Sequence, residues 1–145
     1  MIRDAVESDL AVLIEMMRGL YAHDSVPFHE ERSRCAMLEL MSARAYGRVS
    51  LIECEDEVAG YIVLTYGFSI EYGGRHGFID ELFVADEYRG RGLGTLAIEH
   101  ATEDCRSLGM KMILLEVAFE NERAHALYGR LGFREHGRRL MSRIC

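Results

Sequence analysis

The strongest constraint on the fold lies between Phe78 and Cys105, where a strand, a glycine-rich turn and a helix follow one another without interruption. Residues 78–84 are mostly large and apolar, which is typical of a buried strand, although Asp80 and Glu81 lie within it. Beyond the turn, apolar side chains recur at the spacing of one helical face, at Leu93, Leu96, Ala97, Ala101 and Leu108. The segment therefore predicts a strand that feeds directly into an amphipathic helix.

The turn itself, Arg89-Gly90-Arg91-Gly92-Leu93-Gly94, predicts an anion site. The first amides of a helix have no partner within it and lie at the positive end of its dipole, so glycines there let a phosphate approach bare N–H groups. A tight structural turn is the simpler alternative, but the flanking arginines favour anion binding. The turn lacks the Gly-Lys-Ser/Thr that ends the phosphate loop of nucleoside triphosphate-binding proteins. It also lacks the third glycine of the Gly-x-Gly-x-x-Gly fingerprint that binds dinucleotides.

The turn resembles the Arg/Gln-x-x-Gly-x-Gly/Ala signature of the GNAT superfamily of acetyl-CoA-dependent N-acetyltransferases. A second block downstream, Asn121 to Phe133, is similar to that family's Asn-x-x-Ala-x-x-Leu-Tyr-x-x-x-Gly-Phe motif. Gly129 departs from the lysine or arginine usual at its position, and a glycine inside a helix costs about 1 kcal/mol. The two motifs have the family's order and spacing, and they cover the C-terminal half of the chain directly.

The resemblance implies acetyl-CoA as the cofactor and a V-shaped cleft between two splayed strands. In the family, the glycine turn holds the diphosphate, backbone of the preceding strand pairs with the pantetheine arm, and the asparagine of the second block also contacts that arm. The residues implied in cofactor binding are Leu82, Phe83, Val84, Arg89, Gly90, Arg91, Gly92, Leu93, Gly94, Thr95 and Asn121. Backbone N–H near Val84 would polarise the thioester carbonyl.

The order of elements agrees with this family. Pattern and turn signals predict strands over 2–6, 49–54, 58–66, 78–84, 112–117 and 133–144, and helices over 8–21, 30–45, 93–108 and 121–131. Ser8 is the expected N-cap of the first helix, Asn121 that of the last, and residues 55–57 an acidic hairpin turn. We therefore expect an α/β fold with a mixed, mostly antiparallel sheet of six to seven strands and helices on both faces.

Composition narrows the class of protein further. The 145 residues suit a single domain, residues 1–145, and the net charge of −7 argues against a nucleic-acid partner. The four cysteines and six histidines are dispersed, so neither a disulfide framework nor a metal site is expected. No apolar run is long enough for a membrane span and no signal peptide is recognised, so we expect a cytoplasmic protein.

Tyr128 is the candidate general acid. It shares a helical stripe with Ala124, Leu127 and Leu131, which places it on or beside a buried face with its hydroxyl reaching beyond its neighbours. A phenol with a pKa near ~10 is suited to protonate a departing thiolate. A core tyrosine is the alternative from position alone, and the family motif, which places its acid here, favours catalysis.

The candidate bases are Glu81, Glu116 and Asp80. Alternation along a strand points Asp80 and Glu81 to opposite faces, so only one of them is expected to face the cleft directly. Glu81 is the first choice because relatives that acetylate small amines carry a carboxylate pair here, and Glu116 is the rival because it resembles a residue of ribosomal-protein alanine acetyltransferases. Paired or solvated edge carboxylates are the alternative for all three.

The acceptor is expected to be a cationic primary amine, such as a polyamine, an aminoglycoside, an amino-acid-like amine or a lysine side chain, because many candidate contacts are acidic. By family resemblance the first-helix region and the hairpin before the phosphate strand roof the acceptor site, which implies contacts from Tyr21, Asp24, Phe28, Glu30, Glu31 and Tyr72. A protein acceptor, or an acyl-CoA sensor without turnover, stays open. A homodimer through the arginine-rich C-terminal segment is compatible with the sequence but not required by it.

Overall fold

A computed structural model describes every residue from Met1 to Cys145. It contains five strands and four helices, and the chain passes through them in the order β1, α1, α2, β2, β3, β4, α3, β5, α4. Their bounds are Ile2–Asp4 (β1), Leu10–His23 (α1), Glu30–Ser42 (α2), Gly47–Cys54 (β2), Glu57–Ser69 (β3), Gly74–Val84 (β4), Leu93–Ser107 (α3), Ile113–Leu115 (β5) and Glu122–Arg130 (α4).

The five strands form one sheet in the order β1-β2-β3-β4-β5, antiparallel except for the parallel pair β4–β5. The mixed, mostly antiparallel sheet is confirmed, but it has five strands instead of six or seven. The prediction of a last strand over residues 133–144 is wrong. Gly137 breaks that segment with a positive φ of 62°, and an ion pair from Arg138 to Glu71 holds it beside the β3–β4 turn without strand pairing.

Helices cover both faces of the sheet, as predicted. On one face, α3 buries Leu93, Ala97, Ile98 and Ala101 against β2, β3 and β4. On the other face, α1 and α2 bury Leu13, Ile14, Met17 and Met37 against Val49, Leu51, Tyr61 and Val63. The residues of β2 and β3 alternate between these two cores, which is the period-2 pattern of a sheet covered on both sides. Leu96 and Leu108, predicted on the buried stripe of α3, are partly exposed instead.

One turn and one helix cap are confirmed, and a second cap is corrected. Glu55 and Asp56 both have positive φ, as a two-residue hairpin turn requires, and the Asn121 side chain accepts from the Ala124 amide at 3.1 Å at the start of α4. Ser8 is not the N-cap of α1, which begins at Leu10 after a short 3-10 turn. The carboxylate of Asp9 accepts from the Val6 amide instead, and it is fixed by Arg3 at 2.8 Å.

The parallel pair β4–β5 is short, and this creates the cleft. Pairing runs only from Gly77↔Ile113 to Ile79↔Leu115, while β4 continues alone on that side to Val84. β5 is therefore shorter than the predicted strand 112–117. Where the pairing with β5 stops, β4 also carries a bulge, since Val63 faces Glu81 but Leu64 faces Ile79, which leaves Asp80 as the extra residue. No helix of the chain is long and apolar enough to span a bilayer.

Candidate active site

The glycine turn presents a row of unpaired backbone donors. The amides of residues 90–95 donate to no backbone or side-chain acceptor, and the first bond of the following helix comes from Leu96 to Gly92 at 3.0 Å. Gly90 and Gly92 both have φ of 78°, a left-handed conformation that glycine adopts without the strain of a side chain. With the positive end of α3 behind them, these amides fit a phosphate-bearing ligand such as the diphosphate of coenzyme A.

The two arginines of the turn have different positions. Arg89 lines the cleft, donates to the Val84 carbonyl at 3.0 Å and pairs with Asp86 at 2.9 Å. Arg91 lies outside the cleft, where it pairs with Glu55 at 2.8 Å and stacks over Tyr88. Two arginines that sequence reasoning missed, Arg123 and Arg130 of α4, line the cleft and add the positive charge that an anionic ligand needs. Their only signal in the sequence was their place in the second motif.

The cleft has a volume of about 500 Å³ and lies between β4, β5, the glycine turn and α4. It brings together most of the residues predicted for cofactor binding, namely Leu82, Phe83, Val84, Arg89, Gly90, Gly92, Leu93, Gly94, Thr95 and Asn121. The C-terminal end of α1 closes one side through Leu20, His23 and Asp24. That helix approaches β4 closely because Gly19 faces the Phe83 ring, 3.0 Å from where a Cβ would stand.

Tyr128 lines the same cleft, opposite the carboxylates of β4. Burial raises the pKa of its phenol, and the negative charge of Asp24 raises it further. The hydroxyl therefore stays protonated at neutral pH. Because no group of the protein accepts from it or donates to it, the proton is available to a bound molecule. Most buried tyrosine hydroxyls have a partner within the protein, as Tyr61 has in Glu81.

Glu81 is held between two tyrosine hydroxyls. Tyr21 donates to Oε1 at 2.7 Å and Tyr61 donates to Oε2 at 2.8 Å. Burial raises the pKa of Glu81, while the two hydrogen bonds act in the opposite direction because they stabilise the ionised form. Sequence reasoning missed Tyr61. Its only signal in the sequence was its hydroxyl group at the start of the otherwise aliphatic run Tyr61-Ile62-Val63-Leu64 of a buried strand.

Asp80 lies beside Glu81, and the two do not divide between opposite sides of β4 as alternation predicted. Both line the cleft, and both also line a second cavity described below. The bulge is the reason, since two residues of a bulged strand oppose one residue of the partner and the alternation is interrupted there. Burial raises the pKa of Asp80 as well, and its carboxylate has no hydrogen-bond donor in the chain.

Glu116 also lines the cleft, but it follows the end of β5 and is exposed to solvent. Asp80 is exposed as well, whereas Glu81 is half-buried and fixed by two tyrosines. No group of three or more His, Cys, Asp or Glu side chains is arranged to hold a metal ion. The acid–base candidates predicted from the sequence, namely Asp80, Glu81, Glu116 and Tyr128, all line the cleft, and His23 and Asp24 line it as well.

The residues predicted to roof the acceptor site are only partly brought together. Tyr21 and Asp24 line the cavities, but Phe28, Glu30 and Glu31 line neither of them. Glu30 is engaged by Arg18 at 2.7 Å and by Arg34 at 3.0 Å. Tyr72 lies at the β3–β4 turn beside His136. β4 begins two residues later at Gly74, and Asp80 lies six residues further on, which is roughly 20 Å along an extended strand. The prediction of a roof at Tyr72 is therefore corrected.

A second cavity of about 250 Å³, here called the side cavity, lies between α1, α2 and β4. It meets the cleft at the β4 carboxylates, which line both spaces. Its wall consists of Met17, Tyr21, Pro27, His29, Arg32, Ser33, Ala36, Met37, Leu40, Val63, Asp80 and Glu81. A molecule in the side cavity can thus reach the same two carboxylates that line the cleft.

Known proteins resemble this chain over nearly its whole length. The sequence model of the acetyltransferase (GNAT) family matches residues 14–133. Thialysine N-epsilon-acetyltransferase of Bos taurus is 29% identical, with 91% of this chain and 82% of the relative covered. L-methionine sulfoximine/L-methionine sulfone acetyltransferase of Pseudomonas aeruginosa is 25% identical over 94% of this chain and 81% of the relative. The crystal structure of an integron cassette protein from the mobile metagenome of Cole Harbour Salt Marsh superposes with a TM-score of 0.87 at 36% sequence identity. The match covers 99% of this chain and 89% of that protein.

Proposed function

Because the chain belongs to the GNAT family of acetyltransferases, we propose that it transfers an acetyl group from acetyl-CoA to a primary amine on a small molecule by direct attack. The observation that carries the proposal is the meeting of three groups in one cleft. These are the free amides of residues 90–95, the protonated hydroxyl of Tyr128 and the carboxylates of Asp80 and Glu81. The thialysine and methionine sulfoximine acetyltransferases among its relatives support a small acceptor.

The amides of residues 90–95, with Arg89, Arg123 and Arg130, would hold the phosphates of acetyl-CoA, and the unpaired side of β4 over 82–84 would hold its pantetheine arm. Bound acetyl-CoA supplies the acetyl group as a thioester. The protein orients the ligand, accepts one proton from the amine and donates one proton to the departing sulfur. Keeping the thioester against a fixed backbone lowers the barrier through orientation.

Glu81 acts as the base. An alkylammonium is attracted by the carboxylates of Asp80 and Glu81, and it must lose a proton before its nitrogen can attack. The raised pKa of Glu81 makes it a better proton acceptor than an ordinary glutamate, and the two tyrosines keep its side chain fixed. Tyr128 donates its proton to the departing sulfur. Burial and the charge of Asp24 raise the pKa of its phenol, so the hydroxyl still holds its proton at neutral pH when the thiolate forms.

The test is coenzyme A release from acetyl-CoA with a panel of primary amines, measured by thiol reagent for the wild type and Tyr128→Phe. We expect turnover in the wild type and a loss of at least about 100-fold in kcat for the variant, since general acid–base catalysis contributes about 10²–10⁴-fold. Calorimetry should give both proteins the same Kd for coenzyme A. Binding of coenzyme A without turnover of any amine would instead identify an acyl-CoA sensor, and absence of binding would refute the site.

A further inference from the structure

The side cavity carries charges of both signs, with an apolar stretch in its wall. The carboxylates of Asp80 and Glu81 lie where the cavity meets the cleft, and the guanidinium of Arg32 belongs to the α2 side of the wall. The remaining wall is largely apolar, contributed by Met17, Pro27, Ala36, Met37, Leu40 and Val63. A ligand that matches this wall has a positive group, a negative group and hydrocarbon in one small molecule.

Arg32 differs from its neighbours because no acidic side chain of the chain pairs with it. Arg34 and Arg18 both bind Glu30, at 3.0 Å and 2.7 Å. Burial raises the pKa of Tyr21, and the charge of Arg32 acts against that rise, which places the guanidinium within electrostatic reach of the hydroxyl that binds Glu81. An arginine with free donors at a cavity wall is suited to a carboxylate, which it can bind through two parallel hydrogen bonds.

We propose that the side cavity is the acceptor site and that Arg32 binds a carboxylate of the acceptor, so that the substrate is a free amino acid. The proposal rests on the acetyl transfer proposed above and adds the class of acceptor. The amine of the amino acid lies at Asp80 and Glu81, where the cavity opens to the cleft, and its hydrocarbon chain contacts Met17, Met37 and Leu40.

The same arrangement selects against the other acceptor classes. A polyamine would bring a second ammonium group toward Arg32, and like charges brought together in a confined site are repelled. An aminoglycoside is too large, because the volume of about 250 Å³ lies below the ~300–1,000 Å³ that drug-sized ligands occupy. A lysine side chain on a protein carries no carboxylate of its own for Arg32 to bind.

The experiment compares each amino acid with the amine that lacks only its carboxylate. The pairs are L-lysine with 1,5-diaminopentane and L-leucine with 3-methylbutylamine, assayed with the wild type, Arg32→Gln and the control Arg34→Gln. Arg34 loses the same charge from the same helix but lines neither cavity. A hydrogen bond to a charged group is worth about 1.5–3 kcal/mol, or roughly 10- to 100-fold in kcat/KM.

We expect at least one amino acid to exceed its partner amine by about tenfold or more, and Arg32→Gln to abolish the difference through KM with little change in kcat. Arg34→Gln should keep the preference. Equal or better turnover of both amines by the wild type, or a preference that survives Arg32→Gln, would overturn the proposal while leaving acetyl transfer intact. If no amine is acetylated, calorimetry with L-lysine and L-leucine in the presence of coenzyme A decides: binding lost in Arg32→Gln supports the assignment, and no binding overturns it.

Discussion

Replacing Tyr61 with phenylalanine tests whether Glu81 is the base. The hydroxyl of Tyr61 is one of two donors to the Glu81 carboxylate, at 2.8 Å, and it is fully buried. A hydrogen bond to a charged group contributes about 1.5–3 kcal/mol, and one pKa unit corresponds to about 1.4 kcal/mol. Because Tyr21 remains as the second donor and water from the cavities replaces part of the loss, we take the lower end of that range. The pKa of Glu81 should therefore rise by about one unit in Tyr61→Phe.

The direction of the change in the pH profile follows from which protonation state of Glu81 is active. The base must be ionised, so kcat/KM falls as the pH drops below its pKa, and a higher pKa moves this acid limb to higher pH. The assay is coenzyme A release with a fixed acceptor from pH 5 to 9. Tyr66→Phe is the matched control, since Tyr66 lies on the same strand and its buried hydroxyl has no partner. If the acid limb of Tyr61→Phe coincides with those of the wild type and Tyr66→Phe, Glu81 is not the base.

Two further predictions separate function from stability. Glu81→Gln should lower kcat/KM yet raise Tm at pH 8, because the raised pKa of Glu81 means that its ionised form opposes folding. The contribution of Glu81 to stability is fully favourable below the ordinary glutamate pKa and is lost as the pH rises through its folded pKa, so the advantage of the variant should vanish near pH 4. Each kcal/mol corresponds to about 2–4 °C in Tm. Gly92→Ala should weaken coenzyme A binding about tenfold and lower the free energy of unfolding by about 1 kcal/mol or more. Gly109→Ala is the control, because Gly109 has a similar φ of 74° and, like Gly92, open space where a Cβ would stand. It should cost comparable stability and leave binding unchanged.

The strand–turn–helix core of the site was predictable because its signals are local. Glycines with positive φ, a helix that follows at once and an asparagine cap are each determined by a few neighbouring residues. The side cavity was not predictable, because Arg32 and Asp80 are brought to one wall only by the packing of α2 on the sheet. The last strand was mispredicted for a related reason. Residues 133–144 have apolar and β-prone positions, but strand formation requires a partner edge that periodicity does not reveal.

The bulge at Asp80 links the shape of the cleft to its chemistry. Period-2 alternation would have sent Asp80 and Glu81 to opposite faces, and one of two charged groups would have entered a packed core. The extra residue interrupts that alternation just where β4 loses the pairing with β5, so both carboxylates adjoin space that water and ligands can enter. Partial removal from water raises the pKa of both carboxyls, although Asp80 stays exposed and Glu81 is only half-buried. The break in pairing that opens the cleft is also what places the proposed base, Glu81, beside it.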